Sequence, residues 1–213
     1  PASTRHFSEQ LYLALAQFNE PVAAETIRRA FTLYSIDQVL IEVIQPVLVE
    51  MGEAWHRGEL PIAVEHFATQ FCMQHLMSML AGSAPPSRDG LIVAACAPGE
   101  THQIGVLMLV VMLRWRGWDV KYLGPDLKLE GLASALAPMN PKLLMFTATR
   151  PESARQLEEL PQVLAQFPEP KPMIVLGGVA FRSLRLNDDI PAFYLDSSPT
   201  AIVSMIERLL QQS

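Results

Sequence analysis

The chain has 213 residues, half of them hydrophobic and only 18% charged, with a formal net charge of -6. That balance excludes a disordered chain and a surface built by these residues to grip nucleic-acid phosphates. No run of 18 apolar residues offers a membrane span, since the richest, Val106 to Leu113, is too short, and the N-terminus lacks the regions of a signal peptide.

Cys72 and Cys96 are the only cysteines, each inside an apolar run, a pattern of buried thiols in a reducing cytoplasm and not of a disulfide framework. Pro1 in place of an initiator Met suggests a trimmed or processed chain.

From Ser8 to Leu80 the apolar residues recur at helical spacing. Leu11, Leu13, Leu15 and Phe18 fit a first helix, Pro21 introduces a second that runs to about Tyr34, and Ser35 caps a third. The third carries the clearest stripe: Val39, Leu40, Val43, Ile44, Val47, Leu48 and Met51 repeat at three and four. Gly58 and Pro61 end it, and a fourth helix from about Pro61 to Leu80 presents Phe67, Phe71, Leu76 and Leu80. Residues 1–81 therefore read as a four-helix bundle, and Gly82 to Gly90, rich in Ser and Pro, as a linker.

Over 91–213 the period changes. Leu91 to Cys96, Val120 to Leu123, Leu143 to Thr147 and Met173 to Leu176 are short apolar strands, with a weaker one at Phe193 to Leu195 closing an edge. Helical patterns at Val106 to Arg116, Lys128 to Ala137, Glu152 to Gln166 and Thr200 to Gln211 alternate with them. Strand and helix in alternation predict a Rossmann-like (flavodoxin-like), doubly wound parallel sheet with right-handed crossovers, so the fold class is α + α/β.

Three features fall where strands end: the loop Glu100 to Gly105 after the first, Thr147 and Thr149 after the third, and Gly177 with Gly178 after the fourth. In an open parallel sheet such loops line one crevice, where ligands bind. The first loop has neither the three-glycine dinucleotide pattern nor a Lys-bearing phosphate loop; it places a lone histidine, His102, two residues from a carboxylate. Paired glycines let a backbone approach a ligand closely, and a threonine hydroxyl can bond a polar ligand edge. A second group, Trp55, His56, Glu65 and His66, straddles the break between the third and fourth helices, with an indole, a carboxylate and two imidazoles in one neighbourhood. No set of nucleophile, base and orienter argues for a hydrolase.

Glu100, His102 and Gly105 resemble the Asp-x-His-x-x-Gly signature of cobalamin-binding domains, with Thr147 at that family's Ser or Thr and Gly177 and Gly178 at its paired glycines. Glu100 departs from the more common Asp. The resemblance implies base-off, His-on binding, in which His102 is the lower cobalt ligand and the displaced tail runs towards Thr147 and the glycines. The helical group resembles the cap of CarH-like photoreceptors of the MerR family. That likeness implies that Trp55, Ile62, Glu65 and His66 cover the upper face of adenosylcobalamin, and that His56 can ligate cobalt after light breaks the cobalt-carbon bond. It also implies a homo-oligomer and a regulator, not an enzyme, that meets DNA through a helix-turn-helix domain absent from this chain or through a partner regulator. A stand-alone antirepressor of the AerR-like kind, a corrinoid methyl carrier serving a methyltransferase, and a nucleotide or small-ligand sensor are the rival readings.

Overall fold

A computed structural model of the protein describes residues 3–186 and 190–212. The chain divides into two compact units, Pro1–Ala81 and Gly82–Ser213.

The first unit is helical. Helix α1, Thr4–Ala16, starts at Ser3, whose side chain accepts from the His6 amide, and buries Phe7, Leu11, Ala14 and Leu15 on one face. Leu13, expected on that face, is 59% exposed, and Phe18 lies beyond the end of the helix. Helix α2, Glu20–Leu33, is capped by Asn19, with Pro21 in the first turn where no N–H is needed. Ser35 then opens a longer helix, α3, over 36–56, through a reciprocal capping box with Gln38.

Helix α3 is not uniform: Val39–Ile44 widens into a π-helical stretch, with the Gln45 amide reaching Leu40 O. Pro46 follows at once and cannot donate into an α ladder, so the shift of register falls where one donor is missing anyway. The stripe survives, with Val39, Leu40, Val43, Ile44, Val47 and Met51 all buried. Together they contribute on the order of 10 kcal/mol of apolar burial before conformational entropy is charged against it. Gly58, at φ +73, turns the chain, and helix α4, Ile62–Ala81, buries Val64, Ala68, Phe71, Cys72 and Leu76.

The second unit is a five-stranded, all-parallel sheet in the order β2-β1-β3-β4-β5. Its strands are β1, Leu91–Cys96; β2, Asp119–Tyr122; β3, Leu143–Thr147; β4, Met173–Gly177; and β5, Ala192–Leu195. Helix α5, Ile104–Trp115, follows β1, and every residue from Val106 to Leu113 is buried, so it is enclosed and not amphipathic. Two expected helices are shorter. Gly131, at φ +70, delays α6 to Leu132–Leu136, and Pro138 tightens its end into a 3-10 turn over Ala137–Met139. The expected helix at Glu152 to Gln166 is broken into α7, Pro151–Arg155, a 3-10 turn over Gln156–Glu159 and α8, Leu160–Leu164, with Pro161 in the first turn of the last piece. Helix α9, Pro199–Gln211, starts from Ser198, which accepts from the Ala201 amide.

Residues 82–90 carry no helix or strand, but they are tied down: the Ser87 and Arg88 amides donate to Gly117 O, and the Arg88 guanidinium lies over the Trp118 ring. Among the described residues no helix is long and apolar enough to cross a membrane.

Candidate functional site

Successive strands β1 and β2 lie side by side, while β3 returns on the other side of β1, which makes the carboxyl ends of β1 and β3 the switch point of the sheet. There Cys96 pairs with Thr147, and Thr147 with Gly177, so the three strand ends singled out in the sequence are neighbours.

Glu100 is the hub of this edge. It is 0% exposed, yet both carboxylate oxygens are occupied. Oε1 accepts from the His102 amide at 2.8 Å and pairs with His102 Nδ1 at 2.7 Å. Oε2 accepts from the Thr149 amide at 2.5 Å, the Thr149 hydroxyl at 2.8 Å and the Arg150 amide at 3.2 Å. Burial opposes the charge, but the hydrogen bonds from His102 and Thr149 outweigh it and hold the carboxyl down at about 2.

With Glu100 ionised and acceptor-only, the imidazole carries its proton on Nδ1 and leaves the Nε2 lone pair free. The His102 side chain is 69% exposed, so that lone pair is offered outward. Thr149 Oγ1 also lies 3.1 Å from Nδ1 and closes the third side of the arrangement.

The loop is braced from both sides. The Gly99 amide donates to Asp126 Oδ1 at 2.6 Å, Arg150 Nη2 donates to Gly99 O, and the Asp126 amide donates to Glu100 O. Gly105 stands one residue into α5, and a side chain built there would meet nothing within 4 Å. Beneath the loop, the Thr147 hydroxyl donates to Cys96 Sγ, whose own hydrogen is directed to His102 O, both at 3.7 Å. Burial pushes the Cys96 thiol up to about 11 despite the Thr147 bond.

Gly178 has φ +104 and ψ 163, a region open essentially to glycine alone, and an added Cβ would lie 2.2 Å from Ala148 O. Its missing side chain is thus demanded first by the backbone of the β3 loop. A Cβ at Gly177 would make only ordinary contacts, with Leu195 and Thr147.

In the first unit, Trp55 and His56 end α3, their rings 4.4 Å apart and tilted by 38°. Trp55 and Ile62 are each 39% exposed. Glu65 pairs with His66 Nδ1 at 2.7 Å and accepts from the Thr69 hydroxyl at 2.8 Å. This aromatic, apolar and acid-imidazole set lies on the end of one helix and the first turns of the next. Thr149, Arg150 and Asp126 are the partners that sequence reading missed in these roles; Thr149 stood out only as a polar strand-end residue.

Among the described residues no group of three or more His, Cys, Asp or Glu side chains is placed to hold a metal ion.

Two family models, both described as a B12 binding domain, match residues 8–80 and 90–194. The chain is 30% identical over 176 residues, 82% of its length, to the HTH-type transcriptional repressor CarH of Myxococcus xanthus, and 28% identical over 174 residues to the repressor CarA of the same organism. It spans 58% and 57% of the lengths of these relatives. Its fold matches the monomethylamine corrinoid protein of Methanosarcina barkeri with a TM-score of 0.76 at 18% identity, covering 97% of this chain and 100% of that one. The methanol:cobalamin methyltransferase complex MtaBC of the same organism matches at a TM-score of 0.50 and 18% identity, over 97% of this chain and 80% of that one.

Proposed function

Because the chain belongs to the B12-binding family through both of its units and is homologous to the CarH and CarA repressors, we propose that it is the cobalamin-binding, light-sensing portion of a cytoplasmic transcriptional regulator and not an enzyme. The observation that carries this reading is the buried Glu100 carboxylate holding His102 Nδ1 and presenting Nε2.

The residues fit the cofactor. One outward imidazole nitrogen, with no wider donor cluster among the described residues, is a poor cage for a bare ion but would suffice to hold a cobalt that arrives already bound within its own cofactor. The His102 side chain is largely exposed, and a Cβ at Gly105 would meet no protein atom within 4 Å. A carboxylate on the far ring nitrogen fixes the tautomer and raises ligand basicity.

Bound adenosylcobalamin supplies the cobalt and a light-sensitive cobalt-carbon bond. His102 would hold the cobalt through Nε2. Thr147, Gly177 and Gly178 are assigned to the displaced tail. Trp55, Ile62, Glu65 and His66 would hold the adenosyl group, and His56 would supply a second nitrogen to the cobalt. A bulky adenosyl group held there would add packing, and a change in that packing would shift the conformation or self-association of the chain. DNA is contacted by a helix-turn-helix domain outside this sequence or by a partner regulator; the acidic balance of these residues disfavours a direct grip.

Reconstitution in the dark with adenosylcobalamin and with methylcobalamin, followed by absorbance and sizing before and after green light, tests the reading. The expected result is a His-on spectrum abolished by His102→Ala, a light-dependent change in spectrum or size, and normal dark binding by His56→Ala without a stable product after light. Absence of cobalamin binding overturns the reading altogether. Binding of either form with no response to light removes the photoreceptor and leaves the methyl carrier or the antirepressor.

A further inference from the structure

Helix α1 ends in an unusual way. The Phe18 amide donates to Leu15 O at 3.0 Å and the Asn19 amide to Ala14 O at 2.8 Å, the paired bonds of a Schellman closure. The residue at its left-handed position is ordinarily glycine, because a side chain there crowds the following carbonyl. Here it is Phe18, at φ +55, with 52% of its surface exposed. Burial of its own ring therefore does not account for a bulky residue in a strained place.

What the ring touches does. It stacks on Phe67 with centroids 4.9 Å apart and planes tilted by 42°. Phe67 directly follows His66 in α4, in the turn that carries Glu65, and is itself 6.3 Å from Phe71 further along the helix.

We propose that Phe18 is a positioning residue for the upper side of the cofactor site: its left-handed backbone aims the ring at Phe67 and fixes the first two turns of α4, on which Ile62, Glu65 and His66 are displayed. The inference rests on the assignment of those residues to the upper face. Phe18 acts through Phe67, setting how well the chain tells a large adenosyl group from a small hydroxo ligand.

The test compares the parent with Phe18→Gly, which removes the ring and suits the backbone, and with Phe18→Asn, which tolerates the same backbone without a ring. In the cofactor-free chain, melting should be unchanged or raised for Phe18→Gly, while amide exchange over residues 63–69 speeds up in both variants. In the dark, the preference for adenosylcobalamin over hydroxocobalamin should fall roughly two- to tenfold, the worth of one aromatic pair. Phe67→Ala should lower it equally, and the Phe18→Gly, Phe67→Ala double variant no further. An unchanged preference in both Phe18 variants overturns the inference while leaving the functional reading intact. A collapse of melting in both also overturns it, since the ring would then be holding the fold. A parent that binds neither cobalamin removes the reading itself, and the inference with it.

Discussion

Replacing Glu100 with glutamine keeps the shape of the side chain and removes its charge, and the structure sets the size of the effect. In the parent, two buried oxygens face five donors, four of them within 2.8 Å. Glutamine has one acceptor oxygen, and its NH2 must point at the donors of either the His102 or the Thr149 side, leaving like groups facing one another. Moving the carboxyl from its ordinary 4.5 to about 2 corresponds to about 3 kcal/mol at about 1.4 kcal/mol per pH unit. Because the folded value lies below the unfolded one, this contribution is full above pH 4.5, fades as pH falls, and is gone near pH 2. Urea unfolding of the cofactor-free second unit should therefore find Glu100→Gln less stable by about 3 kcal/mol at pH 7, with a gap that closes between pH 4.5 and 2. Other carboxylates titrate alike in both proteins and drop out of the difference. A gap under about 0.5 kcal/mol at pH 7, or one that stays constant down to pH 2, would refute the view that the hub is held by a buried charge.

Thr149→Val removes one of the five donors and should cost about 1–2 kcal/mol at pH 7, with a weakened His-on absorbance on cobalamin titration as the second readout. Gly178→Ala forces a Cβ to within 2.2 Å of Ala148 O in a conformation that alanine avoids, so the apo chain should lose more than about 2 kcal/mol by thermal or urea unfolding. Gly105→Ala works in the opposite sense. Its added methyl meets no protein atom and its position is helical, so apo stability should rise by about 0.5 kcal/mol while equilibrium cobalamin binding weakens at least about tenfold.

The sheet was legible because buried parallel strands are short apolar runs. Leu91 to Cys96 and Leu143 to Thr147 stand out between polar and glycine-bearing segments, and both are strands with those ends. Helices were legible where a cap or proline fixed a boundary, as at Ser35 and Pro21, and overextended where a local breaker was outvoted by periodicity. Gly131 had the signal for a delayed start, and Pro161 for a break, but an apolar repeat on either side hid both. The π-helical stretch before Pro46 left no periodic trace, since the buried face continues across it.

His102 could be picked out together with Glu100 because a histidine two residues from a carboxylate is a local pattern. The grip on Glu100 could not, because it depends on which residue of β3 lies opposite which residue of β1. Only the register Cys96 to Thr147 brings a residue four past the end of one strand to a residue two past the end of the other. The buried charge is therefore solvated by two loops distant in sequence. Such a hub couples folding to ligation: an electron-pair acceptor at His102 Nε2 makes the Nδ1 hydrogen a stronger donor to Glu100 and tightens the β1 and β3 loops together. Whatever binds at Nε2 should for that reason stabilise the whole carboxyl edge of the sheet, and Glu100→Gln should lower that ligand-induced stabilisation by about 1.4 kcal/mol for each tenfold of affinity it loses.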